Sequence, residues 1–154
     1  MSIQISPIPH SIFERAVLID TSAICAVYDN TDWNHEAASD CLQQINEAGL
    51  SLHITTPTIF ESHGRILRLG RQRGIELLQE MYEGSYTIER VIEDDEEQAR
   101  RYLSDFQDQD ISYVDALNWS VMLRRGISKA FTFDRRHYSL VQFIGFVVVP
   151  PLYL

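Results

Sequence analysis

The sequence predicts an α/β fold of three layers, with helices on both faces of a central, mainly parallel sheet. Three observations carry that expectation. Short apolar runs rich in β-branched or aromatic residues ("AVLI", "SLHITT", "KAFTF") alternate along the chain with longer helical patterns. The first run, Ala16 to Ile19, has no polar alternate position, as a strand covered on both faces requires. No internal repeat or low-complexity linker divides the 154 residues, a length suited to one domain with a sizeable core.

The elements follow in order. Residues 1–14, "MSIQISPIPHSIFE", have two prolines and no clear period, and are expected to form an irregular N-terminal arm before a single domain over 15–154. After strand "AVLI", "TSAICAVYD" has a helical pattern. Asp32 or Asn34 can cap a second helix, "HEAASDCLQQINEA", which Gly49 ends. "SLHITT" is the second strand. Thr56 before Pro57 marks a helix start with proline at its first position, and the helix continues through "TIFESHGRILRL". "GIELLQEMYEG" is a further helix and "YTIERV" a third strand. "DDEEQARRYLSDFQ" is a helix with acids at its start, read as a solvated first turn. Ser112 opens the strongly amphipathic "SYVDALNWSVMLRRG", which stops at Gly126; "KAFTF" and "FVVV" are the fourth and fifth strands.

Composition narrows the function classes. An apolar share of 45% is that of a folded globule rather than a disordered chain. The longest apolar run, "GFVVVPPLYL", is broken by Pro150 and Pro151 and falls short of the roughly 20 residues that span a bilayer. The N-terminus shows no apolar core behind a basic start, so neither a secretory signal nor a membrane partner is expected, and the cytoplasm is the expected location. Cys25 and Cys41 lie in helical patterns without CxxC spacing or nearby histidines, and are read as buried free thiols. A net charge of −9 argues against a protein that coats nucleic acid by bulk electrostatics. It leaves room for an enzyme acting on nucleic acid, because divalent ions turn an acidic pocket into a phosphate-binding one.

The acids are placed unusually. Asp20 follows strand one, Glu61 lies a turn into the helix after strand two, Asp115 lies in the first turn of the helix opened by Ser112, and Asp134 follows strand four. In a parallel α/β sheet the carboxyl ends of the strands share one edge, where ligands bind. Each acid also has a local reading: Asp20 and Asp134 as caps, Ser112-x-x-Asp115 as a capping box, Glu61 with Arg65 as a surface ion pair. Four converging carboxylates without cations would repel one another and raise their own pKa values. Oxygen ligands without thiolate or imidazole favour Mg²⁺ or Mn²⁺. "DQDIS" starts like a calcium loop, but Tyr113 replaces the required glycine and Trp119 the closing glutamate. It also mimics an aspartyl-phosphate motif but follows a helix, while Asp20 has Ser22, not aspartate, two places on. No P-loop, GxSxG or GxGxxG occurs.

Taken in order, "VLIDTSAI", "TTPTIFES", "DISYVDALNWSVMLRRGI" and "KAFTFDRRH" resemble the PIN-domain nucleases, most of all the small VapC-like toxins of bacterial toxin–antitoxin pairs. The resemblance spans roughly residues 16 to 148 and implies a PIN-like sheet. It implies that Asp20, Glu61, Asp115 and Asp134 are the catalytic, metal-holding acids, with Asp134 the most variable in role, and that the hydroxyls of Thr21, Ser112 and Thr132 support them. Residues 1–14 precede the part that the family shares.

The activity so implied is endoribonuclease cleavage with Mg²⁺ (or Mn²⁺), leaving 5′-phosphate and 3′-hydroxyl ends, in a chain neutralised by a small antitoxin protein and forming a homodimer. Substrate contacts are expected from "RILRLGRQR", above all Arg65 and Arg68, and from Arg135 after Asp134; the same cluster could instead balance surface acids or dock an antitoxin. His53, His63 and His137 show no mutual spacing pattern, and no histidine is assigned a role. The alternatives are a PIN-fold nuclease in RNA maturation or DNA processing, and a non-catalytic binding module whose acids are only caps.

Overall fold

The computed structural model of the chain describes residues 15–140 and 147–149, so the expected arm at 1–14 lies outside the described residues. Among these residues five strands form one sheet: β1 (Ala16–Ile19), β2 (Ser51–Thr55), β3 (Thr87–Glu89), β4 (Lys129–Phe131) and β5 (Val147–Val149). Their order is β3-β2-β1-β4-β5, and each of the four pairings is parallel. Among the described residues seven helices connect them: α1 (Thr21–Tyr28), α2 (His35–Glu47), α3 (Thr56–Ile66), α4 (Arg71–Glu83), α5 (Glu93–Asp105), α6 (Tyr113–Arg125) and α7 (Arg135–Ser139). The expected three-layer α/β/α architecture is the one the chain adopts.

The apolar run "AVLI" is the central strand, and its alternation across the pleat divides the core. Val17 and Ile19 pack with Ile24, Ile45, Ile59 and Leu77 from α1 to α4 on one face. Ala16 and Leu18 pack with Ala99, Trp119 and Met122 from α5 and α6 on the other. All four β1 side chains are fully buried, and each of the larger ones contributes roughly 1.5–3 kcal/mol by leaving water. Trp119 anchors the second layer: Tyr102, Phe106 and Tyr138 meet its ring edge-to-face at 5.7, 6.4 and 5.9 Å between centroids.

Several boundaries differ from expectation, each for a local reason. The cap of α3 is Thr55, whose hydroxyl accepts from the Thr58 amide, so Thr56 rather than Pro57 begins the helix. A single 3-10 turn, Leu67–Leu69, separates α3 from α4, and α4 begins at Arg71 rather than Gly74 because Gly70, at φ 131°, makes the break. The third strand covers only Thr87–Glu89. Asn34 takes the cap position of α2 without a side-chain bond, and Gly49 (φ 68°) and Gly126 (φ 70°) end α2 and α6 in the left-handed region. Cys41 is buried and Cys25 half-buried, both as free thiols. No described helix is long and apolar enough to cross a membrane.

The strand order reverses beside β1: β2 and β3 lie on one side of it, β4 and β5 on the other. The carboxyl ends of β1 and β4 therefore flank the crevice at which ligands of open α/β sheets bind.

Candidate active site

Asp20 stands at that crevice. Its extended backbone makes it the N-cap of α1, and Oδ1 accepts from the Ala23 amide at 3.2 Å and the Ser22 hydroxyl at 2.7 Å. Oδ2 accepts from the Thr132 hydroxyl at the end of β4. The same Thr132 oxygen accepts the Asp134 amide at 2.9 Å, and Ser22 Oγ accepts the Phe133 amide at 2.9 Å. A lattice of short polar contacts thus fixes the first acid against the loop that carries the fourth.

Asp115 is reached from the other layer. It forms the capping box of α6: its amide donates to Ser112 Oγ at 3.0 Å, and its Oδ2 accepts the Ser112 amide at 3.1 Å. One turn on, Asn118 is buried and locks α6 to the start of α3, accepting the Thr55 hydroxyl at 2.5 Å and donating to Thr58 Oγ1 at 3.0 Å. Thr58 precedes Glu61 by three residues, so this bond sets where Glu61 stands relative to Asp115. Glu61 keeps a loose ion pair with Arg65 at 3.8 Å.

These residues share one cavity of about 270 Å³, lined by Asp20, Glu61, Asp115 and Asp134, with Thr21, Ser112 and Arg65 among its walls. Four acids separated by up to 114 positions in the chain are brought together. Each local reading is also true of the molecule: Asp20 and Asp134 cap helices, Asp115 closes a capping box and Glu61 pairs with Arg65. A carboxylate has two oxygens, and a cap uses one of them.

The expected supporting hydroxyls divide. Ser112 and Thr132 hold Asp115 and Asp20 as described, whereas Thr21 Oγ1 is buried without a hydrogen-bond partner among the described residues. The hydroxyl that holds Asp20 from α1 is that of Ser22. Of the expected substrate-binding arginines, Arg65 lines the cavity; Arg68 is exposed on the 3-10 turn and Arg135 opens α7, both outside the lining.

Four lining residues were not singled out as site residues from sequence: Ser22, Asp110, Asn118 and His137. Asp110 sits in the stretch set aside as an incomplete calcium loop. His137 Nδ1 lies 2.6 Å from Asp134 Oδ2 and 3.4 Å from Asp115 Oδ2, so the donor set is not oxygen alone. The available signal was the three-residue step from Asp134 to His137, which puts both on one face once a helix forms there. His63 faces away, lining two hollows on the outer surface of α3 and α4.

The electrostatics match the crowding. Burial pushes the Asp20 carboxyl up to about 6; bonds from Ser22, Thr132 and Ala23 pull it down, and the Asp115 charge adds to the rise. Burial also raises Asp115, against the Ser112 bonds and the His137 charge, with Asp134 adding to the rise. Five carboxylates with one arginine and one histidine around a small cavity, and an orphaned Thr21 hydroxyl in its wall, suit a hard divalent cation. Donor atoms of Asp115, Asp134 and His137 already lie within 4.8 Å of one another.

Residues 17–142 match the PIN domain family. Ribonuclease VapC26 of Mycobacterium tuberculosis is 30% identical over 139 residues, which cover 87% of this chain and 100% of that protein. Among solved structures, VapC20 of Mycobacterium tuberculosis, described as a sarcin–ricin loop cleaving toxin, superposes with a TM-score of 0.73 at 25% identity, over 85% of this chain and 96% of that one. FitAcB from Neisseria gonorrhoeae shares the fold, with a TM-score of 0.62 at 17% identity, over 90% of this chain and 99% of that one.

Proposed function

Because the chain belongs to the PIN domain family, we propose that it is a divalent-cation-dependent endoribonuclease, acting as a toxin that a cognate antitoxin neutralises. The observation that carries this reading is the convergence of Asp20, Glu61, Asp115 and Asp134 on one cavity at the reversal point of the sheet. The ribonuclease activity and the toxin role come from VapC26 and VapC20, to which the chain is similar.

The four acids would hold Mg²⁺ or Mn²⁺. When bound, the cation supplies Lewis-acid activation of water and of the phosphoryl oxygens. The chain's own residues do the rest. Asp20, held by three donors, cannot rotate away from the cavity, and Thr132 orients it together with the Asp134 backbone. Asn118 keeps Glu61 and Asp115 in register across two helices. An anionic cavity repels a phosphodiester until a cation reverses its sign. Arg65, with about half of its side chain exposed (54%) and only a loose 3.8 Å pair to Glu61, would turn toward a phosphate. Arg68 and Arg135 would extend that contact to further phosphates of the RNA backbone. The products carry 5′-phosphate and 3′-hydroxyl ends.

An antitoxin has a surface to occupy. Phe60, 68% exposed, stands with Leu67, Ile75 and Tyr82 on the outer face of α3 and α4, beside Arg71. Such a face suits an amphipathic partner segment with acids at its margin. The homodimer is proposed from family resemblance, and sedimentation of the purified chain checks it.

The test is cleavage of a labelled RNA hairpin of the sarcin–ricin type, the target named for VapC20, by wild type and Asp20→Asn. Asparagine retains the capping function and loses the charge. Cleavage by wild type with Mg²⁺ or Mn²⁺, none in chelator and none by the variant, is the expected result. Equal cleavage by the variant, or cleavage in chelator, contradicts the reading, as does failure of wild type to cut any RNA.

A further inference from the structure

Building on the cation-dependent reading of the cavity, we infer that His137 is itself a metal ligand, a nitrogen donor that joins Asp115 and Asp134 and tilts the site toward Mn²⁺ over Mg²⁺. The placement of His137 follows from packing. Tyr138 is fully buried against Trp119, with the two rings edge-to-face at 83°, and this contact sets the rotation of α7. The residue before it is then turned out of the core by about 100° and into the cavity. Asp134 caps the helix through Oδ1, which the His137 amide approaches at 3.4 Å, leaving Oδ2 to face the ring.

The ring of His137 stands among the carboxylates with which it would share an ion. Its side chain is 12% exposed, and Nδ1 lies 2.6 Å from Asp134 Oδ2 and 3.4 Å from Asp115 Oδ2. Among the described residues Nδ1 makes no hydrogen bond of acceptable geometry, although it stands at ion-pair distance from both carboxylates. His53, by contrast, has both ring nitrogens satisfied, by Glu89 at 2.9 Å and Ser51 at 3.1 Å. Two donors on opposite sides of a cation with bonds of about 2.1 Å stand about 4.2 Å apart. The three donor atoms, all within 4.8 Å of one another, need only a small movement to share one ion.

Nitrogen changes which ion is preferred. Both ions favour oxygen ligands, but Mg²⁺ demands near-ideal octahedral geometry and gives up its waters reluctantly, whereas Mn²⁺, in the first-row transition series, tolerates a nitrogen donor more readily. A site with His137 in it therefore gains more for Mn²⁺ than for Mg²⁺.

The experiment reads the bond directly. Mn²⁺ is titrated into wild type and His137→Gln and followed by electron paramagnetic resonance, with nitrogen couplings measured by pulsed methods on protein of natural abundance and on protein grown with ¹⁵N-histidine. A ¹⁴N coupling that becomes ¹⁵N on labelling and disappears in His137→Gln is the expected result. With it goes a loss of Mn²⁺ affinity of about 10- to 100-fold, larger than the loss for Mg²⁺ measured by competition. If His137→Gln does not fold, the labelled wild-type protein alone decides. Mn²⁺ bound by wild type without a histidine nitrogen coupling overturns the inference and leaves the nuclease reading standing. Wild type that binds no Mn²⁺ at all overturns both.

Discussion

Thr132 donates its hydroxyl hydrogen bond to Asp20 Oδ2 and so joins residues 112 positions apart at the ends of two neighbouring parallel strands. The same oxygen accepts the Asp134 amide, which makes one hydroxyl responsible for two of the acids. Hydrogen bonds to charged groups contribute about 1.5–3 kcal/mol. Thr132→Val keeps the shape and removes the bond; it is expected to lower stability in urea by that amount and to weaken Mn²⁺ binding, while Thr132→Ser retains both. Equal behaviour of Val and Ser in urea titrations would show that the bond is idle.

The raised carboxyl of Asp20 gives the metal-free protein a defined pH dependence. Its value is about 6 in the fold against an ordinary 3.8, so folding takes up a proton between those values. The contribution of this group is fully present below about pH 4 and is lost as pH rises through 6, by roughly 3 kcal/mol. Asp115 shifts in the same direction. In chelator, Asp20→Asn is expected to gain on wild type between pH 4 and 7 in denaturant midpoint. Millimolar Mn²⁺ acts in the opposite sense, because it binds the deprotonated acids, and should raise the wild-type melting point more at pH 7.5 than at pH 5. Parallel pH profiles for the two proteins would remove burial of Asp20 as the cause.

Asn118 is a positioning residue, since its amide oxygen and nitrogen are both taken up by Thr55 and Thr58 at the start of α3. Asn118→Ala removes the buried acceptor that both threonine hydroxyls reach, leaving them only each other, and is expected to cost roughly 1–3 kcal/mol of stability. Its Mn²⁺ affinity should fall as well, through Glu61 on the helix it no longer fixes. A variant that is destabilised but binds Mn²⁺ as wild type does would confine Asn118 to packing.

Arg65 is expected to act on binding and not on the metal. In RNA binding measured on an Asp20→Asn background, Arg65→Ala should weaken affinity and reduce the slope of log K against log salt by about 0.7, one phosphate contact on a single strand. An unchanged slope would assign Arg65 to Glu61 alone.

Most of the scaffold was legible because its signals are local. "AVLI" reads as a strand buried on both faces, and it is the central one; Ser112 and Gly126 bound α6 as their capping chemistry requires. The acids stood out as a set through their places near helix starts at one edge of the sheet, although each one alone reads as a cap, a capping box or a surface ion pair. What escaped were residues whose role depends on a distant element. Ser22 becomes a support only because the Phe133 amide and Thr132 arrive beside it. His137 faces Asp115 only because Tyr138 is drawn against Trp119. Asn118 looks like a polar interruption of an apolar helix until α3 is packed on it. The start of α3 was misplaced by one residue because two threonines precede Pro57 and only packing chooses between them.

Diffraction from crystals grown with Mn²⁺, recorded near the manganese absorption edge, tests the shared cation cradle most directly. An anomalous peak inside the cavity, with carboxylate oxygens of Asp20 and Asp115 at about 2.2 Å from it, is the expected result. A cavity without a peak at millimolar Mn²⁺, or a peak held elsewhere on the surface while those two side chains keep only their capping bonds, contradicts it.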